Sequence, residues 1–498
     1  MCYLSVNQVI LRRFQLSSVA LLVATSCGGS PQSSPGPDAS DATMAAESSS
    51  AAGDGPSEGA DATTPPGDDT TSPPVDDAPS TPYDGPVSGS LVHPCTLPGS
   101  VLTSATGTST VAGGKAADGG TLPDVSYIKV PPGFCVHYFG NVGNARQIRF
   151  APSGEAFVAS PTGATTSGGQ NGQSAILVLP DDNNDGVADR NITFMSNLVY
   201  TQGLLFTGGY FYYQDSATIR RVAYTPGQRA PSSASELVAD IGANHHQDML
   251  HWAKTLDIAD DGTIYVGNGG SQGDECVAPP WPFLGGILKL DGTPGGSIVA
   301  RGLRNPIAIR CARGHNLCFA TELAKDYSAD EAGREKLLPI RQGDDWGFPC
   351  CATQGVPYAD APYLTDAGVT KLADCSGITP VNDSFLIGDT PFGLDFEPGL
   401  WPAAWNGSVF IANHGAAGTW TGARVVAIAM DPTTGLPMPG TNYMGGADMG
   451  ALTDFATGWD DGRNDHGRPT AVGFSSDGRL FLTNDSTGDI VWIAPASL

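Results

Sequence analysis

One local pattern recurs six times between residues 150 and 485: a turn carrying Gly, Asn or Asp, a run of alternating apolar and aromatic residues, and a polar end. The copies are Ser153-Gly154 before AFVAS, Gly208-Gly209 before YFYYQD, and Asp261-Gly262 before TIYVGN. They continue as Gly314-His315-Asn316 before LCFATE, Asn406-Gly407 before SVFIAN, and Asp477-Gly478 before RLFLTN. Each reads as a β-hairpin, which cannot cover both of its own faces and must stack on neighbours. Six copies therefore predict an all-β chain folded as a six-bladed β-propeller over residues 123–498. The early copies lie about fifty residues apart, room for four short strands each. The wider intervals place insertions at 324–385 and 431–465, which are expected to cap one mouth of the central channel. A strand at 125–130 is expected to pair near 490–493 and close the ring.

Composition agrees with a turn-rich β protein: of 498 residues, 65 are Gly and 39 Pro, and only 15% are charged. A good share of the net charge of −26 lies in a tail, because 11 Asp and Glu but no Lys or Arg occur between Arg13 and Lys115. Nucleic acid is excluded as a partner, since phosphate binding needs clustered cations.

Arg12-Arg13 precede an apolar run at 19–24 and then Thr25-Ser26-Cys27. This reads as a signal peptide over 1–26 whose end resembles a bacterial lipobox, so Cys27 is expected to carry lipid; an ordinary secretory signal is the alternative. Residues 27–90 are Ser, Pro, Gly, Ala, Thr and Asp with almost no large apolar side chain, and read as a disordered linker followed by a transition segment over 91–122. Such a coil spans on the order of 45 Å, enough to hold a folded domain clear of a lipid surface. The expected location is the bacterial cell envelope, with the membrane contacted through the lipid anchor only.

Of the ten cysteines, Cys2 would leave with the signal and Cys27 would be acylated. The remaining eight form an even set suited to disulfides in an oxidising compartment. Cys311 and Cys318 flank the turn Arg313-Gly314-His315-Asn316 and are expected to pair across a hairpin. No C-x-x-C-H is present, which argues against covalently attached haem.

The stretch from His251 to Pro306 carries the most chemical information. His251 stands before the pair of strands broken by Asp260-Asp261-Gly262, and Arg304-Asn305-Pro306 follows another strand, placing both polar groups on loops. This constellation resembles the glucose/sorbosone dehydrogenases that use pyrroloquinoline quinone (PQQ), nearest to the sorbosone and pyranose dehydrogenase branch, over residues 123–498. The resemblance implies His251 as the catalytic base and Arg304 and Asn305 as contacts to cofactor and substrate. A neutral imidazole can take a sugar hydroxyl proton at neutral pH, while Arg304 stabilises charge building on the quinone oxygen.

PQQ bears three carboxylates, so its pocket needs converging cations, and Arg suits planar carboxylates through its paired donors. Arg146, Arg304, Arg424 in TGARVV and Arg468 in HGRPTAVGF match the branch's motifs, with Arg424 standing where Lys is usual. The alternative is that each pairs with one of the many acids. His414, in Phe410-Ile411-Ala412-Asn413-His414-Gly415, matches an "L-F-V-A-x-H-G" motif, but Ala416-Ala417-Gly418 replaces the usual "S-W-N-R". Glu322 aligns with a second family motif that is otherwise incomplete around Lys325. Family members hold a Ca²⁺ beside the quinone. A further calcium candidate is Asp181, Asn183, Asp185 and Asp189, oxygen ligands at near-alternate spacing around Gly186; an unloaded acidic turn is the other reading.

The expected activity is PQQ-dependent oxidation of an aldose or related sugar, with electrons passed to a separate acceptor, a cytochrome or quinone. The alternative is a catalytically inactive propeller serving as a cell-envelope binding domain. A calcium lactonase, which also uses six blades, lacks a matching set of acid and Asn ligands here.

Overall fold

Every copy of the repeat becomes the second strand of a sheet in the computed structural model, which describes residues 93–160, 174–245, 251–270, 276, 285–324, 335–352, 357, 363–364, 370–371, 373–379, 383–385, 389–416, 419–438 and 452–498. The signal peptide, Cys27 and the linker lie outside the described residues. Blade one comprises Ile148–Phe150, Ala156–Ser160, Ser174–Leu179 and Ile192–Leu198, and blade two Leu204–Thr207, Tyr210–Asp215, Thr218–Ala223 and Glu236–Asp240. Blade three comprises Leu256–Ile258, Ile264–Asn268, Gly286–Leu290 and Ser297–Arg301. Blade four comprises Asn305–Ala312, Leu317–Leu323, Glu335–Pro339 and Asp383–Phe385, and blade five Pro391–Phe396, Val409–Asn413, Arg424–Ile428 and Leu452–Ala456. Blade six begins with Pro469–Phe474, Leu480–Asn484 and Asp489–Pro495.

All neighbouring strands within a blade are antiparallel. The first strand of each blade touches the first strands of the blades on either side, and these contacts run full circle from blade one to blade six and back. The protein is thus a six-bladed β-propeller with its first strands innermost.

Closure differs in place from the expectation. The fourth strand of blade six is Phe134–Asn141, paired with Asp489–Pro495 in the register Phe134↔Pro495 through Asn141↔Asp489, rather than the stretch at 125–130. Val125, Ile128 and Val130 instead pack as loop residues into the core between blades five and six, and Lys129 makes an isolated bridge to Thr457. The closing strand is buried along nearly its whole length, so it lacks the one-sided alternation that marks a half-exposed strand. Phe134 sits edge-on to Phe455 with ring centroids 5.2 Å apart and 5.1 Å from Trp401. Each such aromatic removed from water contributes about 1.5–3 kcal/mol. A hairpin, Val101–Ser104 with Gly107–Thr110, extends the same sheet beyond the closing strand. Residues 93–110, read from sequence as part of a transition segment, are therefore attached to blade six.

The stretches read as insertions also differ from expectation. The third and fourth strands of blade four and the fourth strand of blade five fall inside them. Long excursions between outer strands stretched the spacing of the repeat there. Four disulfides are present: Cys95–Cys135, Cys276–Cys350, Cys311–Cys318 and Cys351–Cys375. The expected Cys311–Cys318 bridge joins directly opposed residues of one hairpin. Cys95–Cys135 ties the segment before the hairpin to the closing strand.

Candidate active site

The first strands all start on one face of the ring, and the second strands return to it. Arg146, Arg304 and Arg468 stand just ahead of the first strands of blades one, four and six, so the topology alone brings them to that face. Each second strand carries a buried polar residue at its end there or one position before it: Ser160, Gln214, Asn268, Glu322, Asn413 and Asn484. The residue that follows this polar end is His414 in blade five and Asp485 in blade six, so adjacent blades set those two side by side.

Asp485 is the centre of the cluster. Its carboxylate lies 2.9 Å from His414 Nε2, 3.2 Å from Arg146 Nη2 and 3.9 Å from Arg468 Nε. Burial pushes its pKa up, but His414, Arg146 and Arg468 more than offset that and hold the carboxyl below its ordinary value. Burial pushes His414 the other way, down to about 4, so at neutral pH its imidazole is uncharged and donates its Nε2 proton to Asp485. Two guanidiniums then face one carboxylate, a surplus of one positive charge within the cluster. The buried Nε atoms of Arg146 and Arg468 have no hydrogen-bond acceptor.

Aromatic faces line the same place. The Arg146 guanidinium stands 5.0 Å from the Phe392 ring centre and 5.6 Å from that of Trp252. The His414 ring lies 4.2 Å from Phe392. Arg468 lies 4.3 Å from Trp420, so an aromatic ring is present on this loop although the residues from Ala416 on lack the aromatic of the motif they resemble. Trp252, Tyr200, Ile307 and Phe392 form one buried cluster, which joins the segment after His251 to blades four and five.

His251 is buried, and its Nδ1 lies 3.0 Å from the Gly270 carbonyl oxygen. A carbonyl only accepts, so Nδ1 carries a proton, and in the neutral ring the lone pair is then on Nε2. The Gly270 N–H in turn donates to the Arg304 carbonyl at 2.7 Å, which links His251 to the Arg304 loop through one residue. Gly269 leaves no room for a side chain: a Cβ there would lie 2.3 Å from His251 Cβ. The chain leaving His251 is clamped by Gln214, whose amide donates to the Trp252 carbonyl at 2.7 Å and accepts from Lys254 N at 2.9 Å. Arg304 Nη1 donates to the Ala324 carbonyl at 3.1 Å, and its N–H to Glu322 Oε1 at 2.7 Å. The other Glu322 oxygen is 2.5 Å from Lys336 Nζ, a wholly buried pair beneath the loop. Asn305 is buried with its Oδ1 unpartnered.

Arg424 stands apart from the Asp485 cluster. It binds Asp389 with both terminal nitrogens and Asp454 through Nε, and so braces the loop entering blade five beside His414. The loop with Asp181, Asn183, Asp185 and Asp189 turns between the outer strands of blade one, at the opposite end of the blade from Arg146. Its oxygens accept the loop's own N–H groups: Asp181 from Asp185 and Gly186, Asp185 from Val187, and Asp189 from Asp182. The Gly186 carbonyl accepts from Trp492 Nε1 at 2.9 Å, docking blade one on blade six. Among the described residues no three His, Cys, Asp or Glu side chains gather in a metal-holding arrangement. Lys325 and most of the segment after it lie outside the described residues.

Asp485, Trp252, Phe392, Gln214 and Lys254 were not singled out from the sequence. Asp485 was findable, because it holds in copy six the position His414 holds in copy five.

Among protein families, residues 124–280 match a domain of unknown function, DUF7133. No curated protein sequence matches the chain. Among solved structures, a Trichoderma reesei protein of Carbohydrate-Active Enzymes Family AA12 aligns at 19% identity and a TM-score of 0.58, covering 75% of this chain and 100% of that one. A calcium structure from the same family and organism aligns at 18% identity and 0.56, covering 74% and 97%. The holo form of the pyranose dehydrogenase PQQ domain from Coprinopsis cinerea aligns at 15% identity and 0.51, covering 74% and 96%. The likeness these structures establish is one of fold, over about three quarters of this chain and nearly the whole of theirs.

Proposed function

We propose that the protein is a PQQ-dependent sugar dehydrogenase, and that Arg146, Arg468 and Asn305 hold the cofactor beside His251 and Arg304. The observation that carries this reading is the convergence of two guanidiniums on a single carboxylate, Asp485. It leaves surplus positive charge and unspent buried donors on the same face as His251. A polyanionic planar ligand supplies what that cluster lacks: oxygens for the forked donors and a flat face for Trp252 and Phe392. The pyranose dehydrogenase neighbour is a holo PQQ domain, which supports the same cofactor here.

When bound, the quinone supplies the two-electron acceptor for hydrogen leaving a sugar carbon. The chain's own part begins at His251, whose Nε2 lone pair takes the proton of the sugar hydroxyl while the Gly270 carbonyl holds Nδ1–H and fixes the ring. The resulting imidazolium is stabilised by that same carbonyl. Arg304 adds positive charge where negative charge develops, and His414, held neutral, orients Asp485 and through it the two arginines. Ca²⁺ belongs to the proposal as a companion of the cofactor, which the calcium structure among the neighbours supports. A lipid anchor at Cys27, an envelope location and a separate electron acceptor complete it.

A second reading, a propeller that binds without catalysis, is favoured by one observation: Asp485 already occupies His414, Arg146 and Arg468 from within the chain. Dye reduction by the purified protein, given PQQ, Ca²⁺ and a panel of aldoses, separates the two.

A further inference from the structure

The inner strands run away from the candidate active site, and at their far ends the ring opens into a cavity of about 930 Å³. Phe150, Phe396 and Phe474, each the last residue of an inner strand, line it together with Phe206 and Met430. Deeper along the same strands lie Asp257, Arg310 and Asp395. Arg310 donates to Asp395 Oδ1 through Nε at 2.9 Å and Nη2 at 2.6 Å, and to Asp257 Oδ2 through Nη1 at 3.3 Å. Asp395 is otherwise spent on the N–H groups of Phe396 and Phe474, each at 2.8 Å.

Two groups at this inner end are not spent. Asp257 Oδ1 is buried without a donor, although Asp257 Oδ2 also accepts from Cys311 N at 3.0 Å. Arg149, one residue from Phe150, is 6% exposed; its Nη1 bonds only its neighbour's carbonyl, and its Nε has no acceptor. Among the described residues no carboxylate forms an ion pair with Arg149, and burial next to Arg310 pushes its pKa down to about 9. Buried polar atoms without partners are rare in folded proteins and point to an absent ligand or water.

The charges decide which ligand fits. The lining sets Arg310 and Arg313 against Asp257, Asp395, Glu397 and Asp431, which disfavours an anion. Asp257 Oδ1 remains as an unspent acceptor of a lining residue, and Arg149 Nε as an unspent donor next in sequence to lining Phe150; hydroxyl groups serve both kinds because each both donates and accepts. The aromatic walls offer flat apolar faces for the C–H surfaces of a ring. We propose that this mouth is a second ligand site, separate from the candidate active site, for a small neutral polyhydroxylated molecule of the saccharide class. It does not depend on the dehydrogenase reading.

Saturation-transfer NMR on the full cofactor-free protein tests it, with D-glucose as the probe and acetate as the anionic comparison. Two rim variants, Ala403→Trp and Ser476→Trp, fill the mouth from exposed positions on different blades, and thermal melting checks that each is folded. The expected result is transfer to glucose in the wild type and in Arg146→Ala, loss of transfer in the folded rim variants, and none to acetate. No transfer to glucose in the wild type overturns the site, and so does transfer that survives both rim variants or that Arg146→Ala abolishes. Transfer to acetate in place of glucose overturns the ligand class. Loss of PQQ binding in Arg146→Ala bears only on the other face.

Discussion

His414 donates its Nε2 proton to Asp485 across 2.9 Å, from the same position of two consecutive repeats. The pair is buried between Arg146 and Arg468, so its protonation sets both the charge of the site and part of the stability of the fold.

The first consequence is a pH window. An imidazole in the unfolded chain takes a proton near 6.5, whereas burial delays this in the native state until about 4. Between those values the unfolded chain binds the extra proton, so the stability owed to neutral His414 is complete above 6.5 and lost as the pH falls toward 4. The loss is about 3 kcal/mol if the whole shift is expressed. Urea melts between pH 7 and 4.5 should show it, and His414→Asn should flatten the dependence.

Asp485→Asn removes the carboxylate that Arg146, His414 and Arg468 share. Leaving buried guanidiniums without their counter-charge typically costs about 3–5 kcal/mol, on the order of what breaking one buried pair costs. Denaturant unfolding at pH 7 should register a loss of that size, and a loss below ~1 kcal/mol would show that the pair is solvated.

Two disulfides of very different loop length should differ in what they contribute. Cys95–Cys135 closes a separation of 40 residues across the ring-closing strand, whereas Cys311–Cys318 closes 7 within a paired hairpin. Cross-links over longer loops restrict the unfolded chain more, so Cys95→Ser with Cys135→Ser should cost about 2–4 kcal/mol and the hairpin bridge clearly less. Paired melting curves of the two double variants check the order.

The acidic loop of blade one should behave as a structural turn. Its carboxylates are engaged by its own N–H groups, and Gly186, at φ +86°, has Leu97 only 2.8 Å from where a Cβ would stand. Gly186→Ala should therefore lower stability by about 1–3 kcal/mol, through the left-handed backbone and the overpacking together. Calcium titration of the cofactor-free protein should leave the melting temperature unchanged; a rise abolished by Asp185→Ala would make the loop a metal site.

Much of the fold was legible because second strands such as Val409–Asn413 combine a turn, apolar alternation and a polar end in one short window. The closing strand Phe134–Asn141 was not, because a strand covered on both faces shows no period of two. The outer strands of blades four and five were hidden for a different reason: long excursions separate them from their hairpins. At the candidate site, Arg146, His251 and Arg304 were nominated by their placement beside strand ends together with the motifs of the resembled family. Trp252 and Phe392 could not, since an aromatic that lines a site and one that fills a core read alike until the chain is folded. Asp485 was one of many acids, and only its register with His414 distinguishes it.

The central claim is that a cationic cluster on one face of the ring grips a polyanionic cofactor facing His251. Titrating PQQ with Ca²⁺ into the purified protein, followed by quinone absorbance and thermal melting, tests it most directly. The account predicts saturable binding with a raised melting temperature, lost in Arg146→Ala with Arg468→Ala. It predicts that His251→Gln keeps binding while losing dye-linked sugar oxidation by roughly 10²–10⁴-fold. A folded wild-type protein that binds no PQQ at saturating cofactor and calcium would contradict it.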